Sequence, residues 1–189
     1  MENTVKKQYS HWEDKKYEII DGQVLMLASA SPIHNKIALR ISSVLENFLK
    51  GRRCEAWTDT DVFFDNSNIL RPDILVLCDK NKFIDGKVKG APDFIVEVLS
   101  KSTHIYDRGV KKDIYEKYGV KEYWIVSPDA KTIEVYVLNE EKRFEINNVY
   151  FFFEKETEEC KSDEFITTTL YGDDLKISIK EIFAPIFPD

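Results

Sequence analysis

Two short runs constrain this chain more than any other feature. Ile74-Leu75-Val76-Leu77 is apolar at every position, and Phe94-Ile95-Val96-Glu97-Val98-Leu99 is apolar at all but one. Successive side chains of a strand point to opposite faces, so a strand apolar throughout has no face to offer to water. Both runs require a sheet covered on both sides. Tyr123-Trp124-Ile125-Val126 reads as another buried strand. Helices suited to that covering role are legible. The clearer one follows Ser31, a capping residue, and Pro32, which fits a first helical turn. Ile33, Ile37, Ile41, Val44, Leu45 and Phe48 recur at helical spacing as one apolar stripe, and Gly51 stops it. The second is expected over Asp107–Tyr118, with Gly119 as its stop and Val110, Ile114 and Tyr118 as its apolar face.

The remaining elements fill in around these. Asp21-Gly22 lies between the apolar-rich runs Tyr17–Ile20 and Gln23–Leu27, the pattern of a β-hairpin. Strands are expected at Cys54–Trp57 and Thr60–Phe64, then a turn at Asp65–Asn68 leading into Ile69–Leu77. Asp79–Gly90 is a polar, Lys-rich loop. Thr132–Leu138, Phe144–Phe153, Phe165–Leu170 and Leu175–Ile179 read as further strands, and Lys180–Phe183 as a last helical turn. The order is hairpin, long helix, three strands, helix, strand, more strands. It predicts an α/β fold (α+β by stricter schemes) whose mixed central sheet is flanked by helices. The 189 residues contain no repeat and no low-complexity linker, so one domain over 1–189 is expected, with a loose polar arm over 1–16 and a core over about 17–184.

The net charge is −7, from 34 acidic and 27 basic residues. A chain this acidic is no generic polyanion binder. Contact with nucleic acid would need a locally basic surface, or metal ions bridging acids to phosphate. The three cysteines, Cys54, Cys78 and Cys160, are odd in number and far apart in sequence. That argues against a disulfide framework and a CxxC zinc site, and it fits a reducing cytosol. No signal-peptide core opens the chain, and no run approaches the roughly eighteen apolar residues of a membrane helix. A soluble, cytoplasmic protein without a membrane partner is expected.

Two acids stand where acids are costly. Asp73 follows Pro72 at the start of an apolar strand, and Glu97 interrupts another. A buried lone carboxylate costs several kcal/mol unless paired or metal-bound. If the strands are neighbours, both carboxylates can reach one edge of the sheet, and such oxygen donors suit Mg²⁺ or Mn²⁺. The ordinary alternatives are a turn cap for Asp73 and a lysine partner for Glu97. Asp93 also follows proline and shares a strand face with Glu97, so it competes with Asp73. Lys111, in the first turn of the second helix, could reach back to the strand edge and act on a water attacking phosphorus. Glu18, His34 and Asp107 are additional candidates. Their ordinary readings are a surface ion pair, a boundary histidine and a helix cap. In the Lys-rich loop, Asn81–Lys89 offers three lysines that could track a nucleic-acid backbone, or be simply solvated.

These residues fall into one ordered set. Arg71-Pro72-Asp73-Ile74-Leu75-Val76, Ala91-Pro92-Asp93-Phe94-Ile95-Val96-Glu97-Val98-Leu99-Ser100, Asp107 through Lys111, Tyr115, and Gly119-Val120-Lys121-Glu122-Tyr123-Trp124-Ile125-Val126 resemble the Uma2 family, also called DUF820. Tyr17-Glu18-Ile19-Ile20-Asp21-Gly22, His34 and Ile182-Phe183 match it too, so the resemblance covers roughly residues 12–184. It implies a restriction-endonuclease-like αβββαβ core of the PD-(D/E)xK superfamily, preceded by the hairpin and followed by extra strands. It implies metal binding by Asp73, Glu97 and the backbone carbonyl of Val98, and catalysis by Asp73, Glu97 and Lys111. The superfamily's ExK lysine would fall at Leu99, so the resemblance moves that role to Lys111. The expected activity is Mg- or Mn-dependent endonucleolytic hydrolysis of DNA, by a homodimer addressing two strands. The alternatives are an inactive nucleic-acid- or protein-binding module of the same fold, and a metal-dependent hydrolase of RNA or another phosphoester.

Overall fold

A computed structural model describes residues 16–186. Most of the polar arm, including His11, lies outside the described residues. The chain is a mixed α+β fold built on two six-stranded sheets. The hairpin is present as β1 (Tyr17–Ile20) and β2 (Gln23–Met26), turned by Asp21 and Gly22, both with positive φ. Helix α1 follows over Pro32–Leu49, and Ser31 Oγ accepts the His34 N–H at its start. Its buried stripe is Ile37, Ile41, Leu45 and Leu49; Ile33, expected inside, is 54 % exposed, and His34 is buried in its place.

Strands β3 (Glu55–Thr58), β4 (Val62–Phe63), β5 (Ile69–Leu70) and β6 (Ile74–Leu77) come next. The single strand expected over Ile69–Leu77 is two strands in two different sheets. β5 pairs with β1 and β4, whereas β6 pairs with β3. The break falls at Arg71-Pro72-Asp73. Proline has no N–H to give to a ladder, so continuous pairing ends there. The Lys-rich loop is also more ordered than expected. After a 3₁₀ turn at Lys80–Lys82 it forms a hairpin of β7 (Phe83–Ile84) and β8 (Lys87–Lys89) around Asp85-Gly86.

Strand β9 (Phe94–Val98) leads to the second helical region, which is not one helix. It is a short α2 (His104–Arg108) and a longer α3 (Val110–Tyr118), broken at Gly109. The region starts at His104, ahead of the expected Asp107, so Asp107 lies inside α2 instead of capping it. The buried residues of α3 are Lys111, Ile114 and Tyr115, not the Val110, Ile114 and Tyr118 expected. Strand β10 (Glu122–Ser127) closes the crossover and runs parallel to β9. Then come β11 (Thr132–Leu138), β12 (Phe144–Phe151), a separate pair β13 (Phe165–Thr168) and β14 (Gly172–Ser178), and a last turn α4 (Ile179–Phe183).

The central sheet runs β12-β11-β10-β9-β6-β3, and the second β2-β1-β5-β4-β8-β7. β6, β9 and β10 are buried at every residue. On one face Ile74, Val76, Phe94, Val96, Val98 and Trp124 pack against α1, β13–β14 and α4. On the other, Leu75, Leu77, Ile95, Tyr123 and Ile125 pack against the second sheet and α3. Each large side chain so buried contributes about 1.5–3 kcal/mol relative to exposure.

The cysteines correct the sequence reading at one point: Cys54 and Cys78 form a disulfide, 24 positions apart. The antiparallel register that sets Glu55 opposite Leu77 brings the next residues, Cys54 and Cys78, face to face. Sequence spacing cannot show such a cross-strand pair. Cys160 is free and exposed.

Candidate active site

The β6–β9 register pairs Ile74 with Val96, which places Asp73 and Glu97 opposite each other one step further along. Both are odd-numbered on their strands and share the face that carries Leu75 and Ile95. The Asp73 N–H points to Glu97 Oε2 at 3.4 Å, and the Val98 N–H is donated to Asp73 Oδ2 at 2.7 Å. The same Asp73 oxygen lies 3.1 Å from His34 Nε2. The sheet switch at Pro72 releases Asp73 from the ladder, and its carboxylate reaches a cleft of about 330 Å³. His34, Asp73, Glu97, Asp107 and Lys111 line that cleft, with Lys16 and Arg71 at its side.

Lys111 occupies the centre of the acids. Its Nζ lies 3.0 Å from Glu18 Oε1, 3.2 Å from Glu97 Oε1 and 3.2 Å from Asp107 Oδ1. Four elements converge to make this possible. β1 brings Glu18, β9 brings Glu97, and α2 and α3 bring Asp107 and Lys111 four residues apart on the same side. Tyr115, one turn beyond Lys111, donates its hydroxyl to Glu97 Oε1 at 2.7 Å. The Arg71 N–H is donated to Glu18 Oε1 at 2.9 Å, tying the hairpin to the sheet switch. Glu18 is wholly buried, and its Oε2 has no hydrogen-bond partner among the described residues.

The electrostatics follow from crowding. Burial pushes the carboxyls of Glu18, Glu97 and Asp107 upward against the pull of Lys111, and the neighbouring acids add to that push on Glu97. Burial alone would lower Lys111, but the three carboxylates hold its ammonium well above the usual lysine value. His34 is likewise opposed by burial, and the Asp73 carboxylate carries it above its ordinary value. One ammonium and one imidazole face four acids, so the cluster carries a surplus of acid over base.

All six side chains singled out in the sequence thus meet at one place: Glu18, His34, Asp73, Glu97, Asp107 and Lys111. Glu18 is not the surface ion pair of its ordinary reading, and Lys111 is enclosed among the acids. Asp93 does not join them. Its carboxylate takes the Cys78 N–H at 2.8 Å and pairs with Lys121 at 2.7 Å. Lys112 rests over the Tyr136 ring, and His104 is exposed outside the cleft. Sequence reasoning missed the role of Tyr115, although its spacing from Lys111 places both on one helical face. The Arg71–Asp61 and Lys16–Asp59 pairs beside the cleft left no mark in the sequence.

Among the described residues, no three or more His, Cys, Asp or Glu are arranged around a common point for a metal ion. Asp73 and Glu97 are nonetheless two carboxylates facing each other at a cleft with surplus negative charge. Mg²⁺ needs no more than one or two carboxylates when water and substrate phosphate complete its shell. The residues therefore fit such an ion.

The sheet order around β3, β6, β9 and β10, entered by α1 and crossed over by α2 and α3, is shared with a solved structure. A crystal structure of a DUF820 protein from Anabaena variabilis, titled a "putative nuclease", superposes with a TM-score of 0.71 at 21 % identity, covering 90 % of this chain and 91 % of that one. Residues 7–165 match the family Uma2, described as "Putative restriction endonuclease". The chain belongs to the Uma2 family. Two relatives from Synechocystis sp. are described as uncharacterized: slr1290 is 33 % identical over 71 % of this chain and 74 % of its own length. The other, sll1609, is 27 % identical over 65 % and 72 %.

Proposed function

We propose that this cleft hydrolyses phosphodiester bonds of DNA endonucleolytically, with Mg²⁺ or Mn²⁺ held by Asp73, Glu97 and the Val98 carbonyl. One observation carries the reading. Two carboxylates stand opposite each other on adjacent strands at an open cleft, with a buried ammonium on one of them. When bound, the ion would offset charge on the scissile phosphate and activate water. The side chains do the rest. Val98 N–H and His34 fix Asp73, and Tyr115 fixes Glu97, so neither carboxylate must reorganise as charge develops. Lys111 is a donor anchored on three acids. It holds Glu97 in place and balances negative charge at phosphorus, and it takes the role that Leu99 cannot fill.

The test is cleavage of supercoiled plasmid with Mg²⁺ or Mn²⁺. Wild type should nick it, and Asp73→Ala and Glu97→Ala should be inactive while folded. Lys111→Met should lower the rate about 10²–10³-fold, the range for losing one preorganised donor. A silent wild type would overturn the reading, as would activity surviving in both carboxylate variants. The same reading makes the protein cytoplasmic and a homodimer, one cleft for each strand. β12 is an edge of the central sheet and exposes Ile146 and Phe151, a surface suited to a second copy. A monomer mass by light scattering at micromolar concentration would remove the dimer.

A further inference from the structure

A second groove of about 640 Å³ adjoins the cleft, and the two share Ser29, Ser100 and Ser102 as a common wall. That size lies within the roughly 300–1,000 Å³ typical of ligand clefts. Its lining has two characters. Ile33, Leu99 and Pro128 form an apolar side, and Ile33 is the α1 residue left exposed outside the core. Lys101 and Arg108 form a cationic side, with the His104 ring beside them, against one acid, Asp129.

The cations of the cleft itself are already engaged. Lys16 pairs with Asp59, Arg71 with Asp61, and Lys111 with three acids. In the adjoining groove the Lys101 ammonium has no such partner among the described residues. Arg108 gives one nitrogen to Glu134 and keeps a side chain 41 % exposed, with further N–H donors in its fork. The Lys-rich hairpin that looked like a backbone track lines neither hollow. Its Lys82 is bound to the Ala91 carbonyl, and its Lys87 lies over the Phe63 ring.

We infer that the groove of Lys101, His104 and Arg108 holds the nucleotide flanking the scissile phosphate, with its phosphate on the cations and its sugar and base edge on Ile33, Leu99 and Pro128. The inference rests on the nuclease reading of the cleft and gives that reading its substrate path. A substrate so held is positioned through its phosphates, which are indifferent to sequence. Serine hydroxyls on the shared wall carry the backbone from one hollow into the other.

The test compares Lys101→Ala/Arg108→Ala with Lys87→Ala/Lys89→Ala on the hairpin, both checked for an unchanged melting temperature. Fluorescence anisotropy of a fluorescein-labelled DNA, single-stranded and duplex, is read with Mg²⁺ in an Asp73→Ala background at several salt concentrations. The groove variant should bind about tenfold more weakly, and its salt slope should fall by roughly 1 to 2, near 0.7–0.9 for each phosphate no longer neutralised. With Asp73 restored, it should raise KM and leave kcat near wild type. The hairpin variant should behave as wild type throughout. If the groove variant binds and cleaves as wild type does, or the hairpin variant alone is impaired, the groove inference fails and the nuclease reading stands. If the wild type neither binds nor cleaves DNA, the nuclease reading fails and takes the groove with it.

Discussion

Lys111 is 3 % exposed, and among the described residues it is the cation held between Glu18, Glu97 and Asp107. Removing one partner of a buried ion network costs about 3–5 kcal/mol, because the remaining charges lose their compensation. Lys111→Met should therefore lower unfolding free energy by about that much at neutral pH in urea. Adding Glu97→Gln to it should restore part of the loss. A single-variant cost under about 1 kcal/mol would mean that the acids find their charge balance elsewhere. Glu122 offers a pH test far from this cluster. It is fully buried, and burial raises its carboxyl above the usual 4.5, although Thr169 and Trp124 donate to it. A group with a raised folded value stabilises fully below the unfolded value, and that contribution fades as pH rises through the folded one. Stability of the wild type relative to Glu122→Gln should thus decline as pH climbs from 4.5. A constant difference across pH 4 to 8 would show that the carboxyl titrates normally.

At the level of elements, the break at Gly109 sets the site. A Cβ built there would lie 2.9 Å from the Ile105 carbonyl oxygen, so the backbone itself would have to shift. Gly109→Ala should move α2 against α3, cost about 1–3 kcal/mol, and reduce cleavage more than stability, since Asp107 and Lys111 flank the break. Equal activity in that variant would show that the joint is tolerant. The break also marks where the sequence stops being informative. A helix from Asp107 was legible because Ile114 and Gly119 carry ordinary signals. The face was misjudged by one residue because a buried lysine contradicts the apolar pattern on which periodicity depends. Lys111 could be suspected from its place after the Glu97 strand and from the family resemblance, not from any pattern of its own helix. Asp73 and Glu97 were readable for the opposite reason: each is a charge inside an apolar run, which physical cost alone makes conspicuous.

Across the whole molecule, the second sheet was the feature least visible beforehand. β4, β5, β7 and β8 have two or three residues each, too short for any alternation to register. The Cys54–Cys78 bridge was hidden for a related reason, since a cross-strand register creates it. Its loop of 24 positions corresponds to about 3 kcal/mol of denatured-state entropy. Cys54→Ser/Cys78→Ser, or the reduced wild type, should melt roughly 10 °C lower. Activity should persist, because neither cysteine lines the cleft. In reducing surroundings the pair is held as thiols, and the stability there is that of the reduced form. The seam at Arg71-Pro72-Asp73 has a consequence for biosynthesis. Glu18 waits on the hairpin, Asp73 on the chain's passage between sheets, Glu97 on β9, and Lys111 on the crossover that β10 closes. The four groups come from positions 18, 73, 97 and 111, so a growing chain cannot carry the complete set until Lys111 has been made. A copy that stops before Lys111 has the acids of the cleft without the ammonium set among three of them.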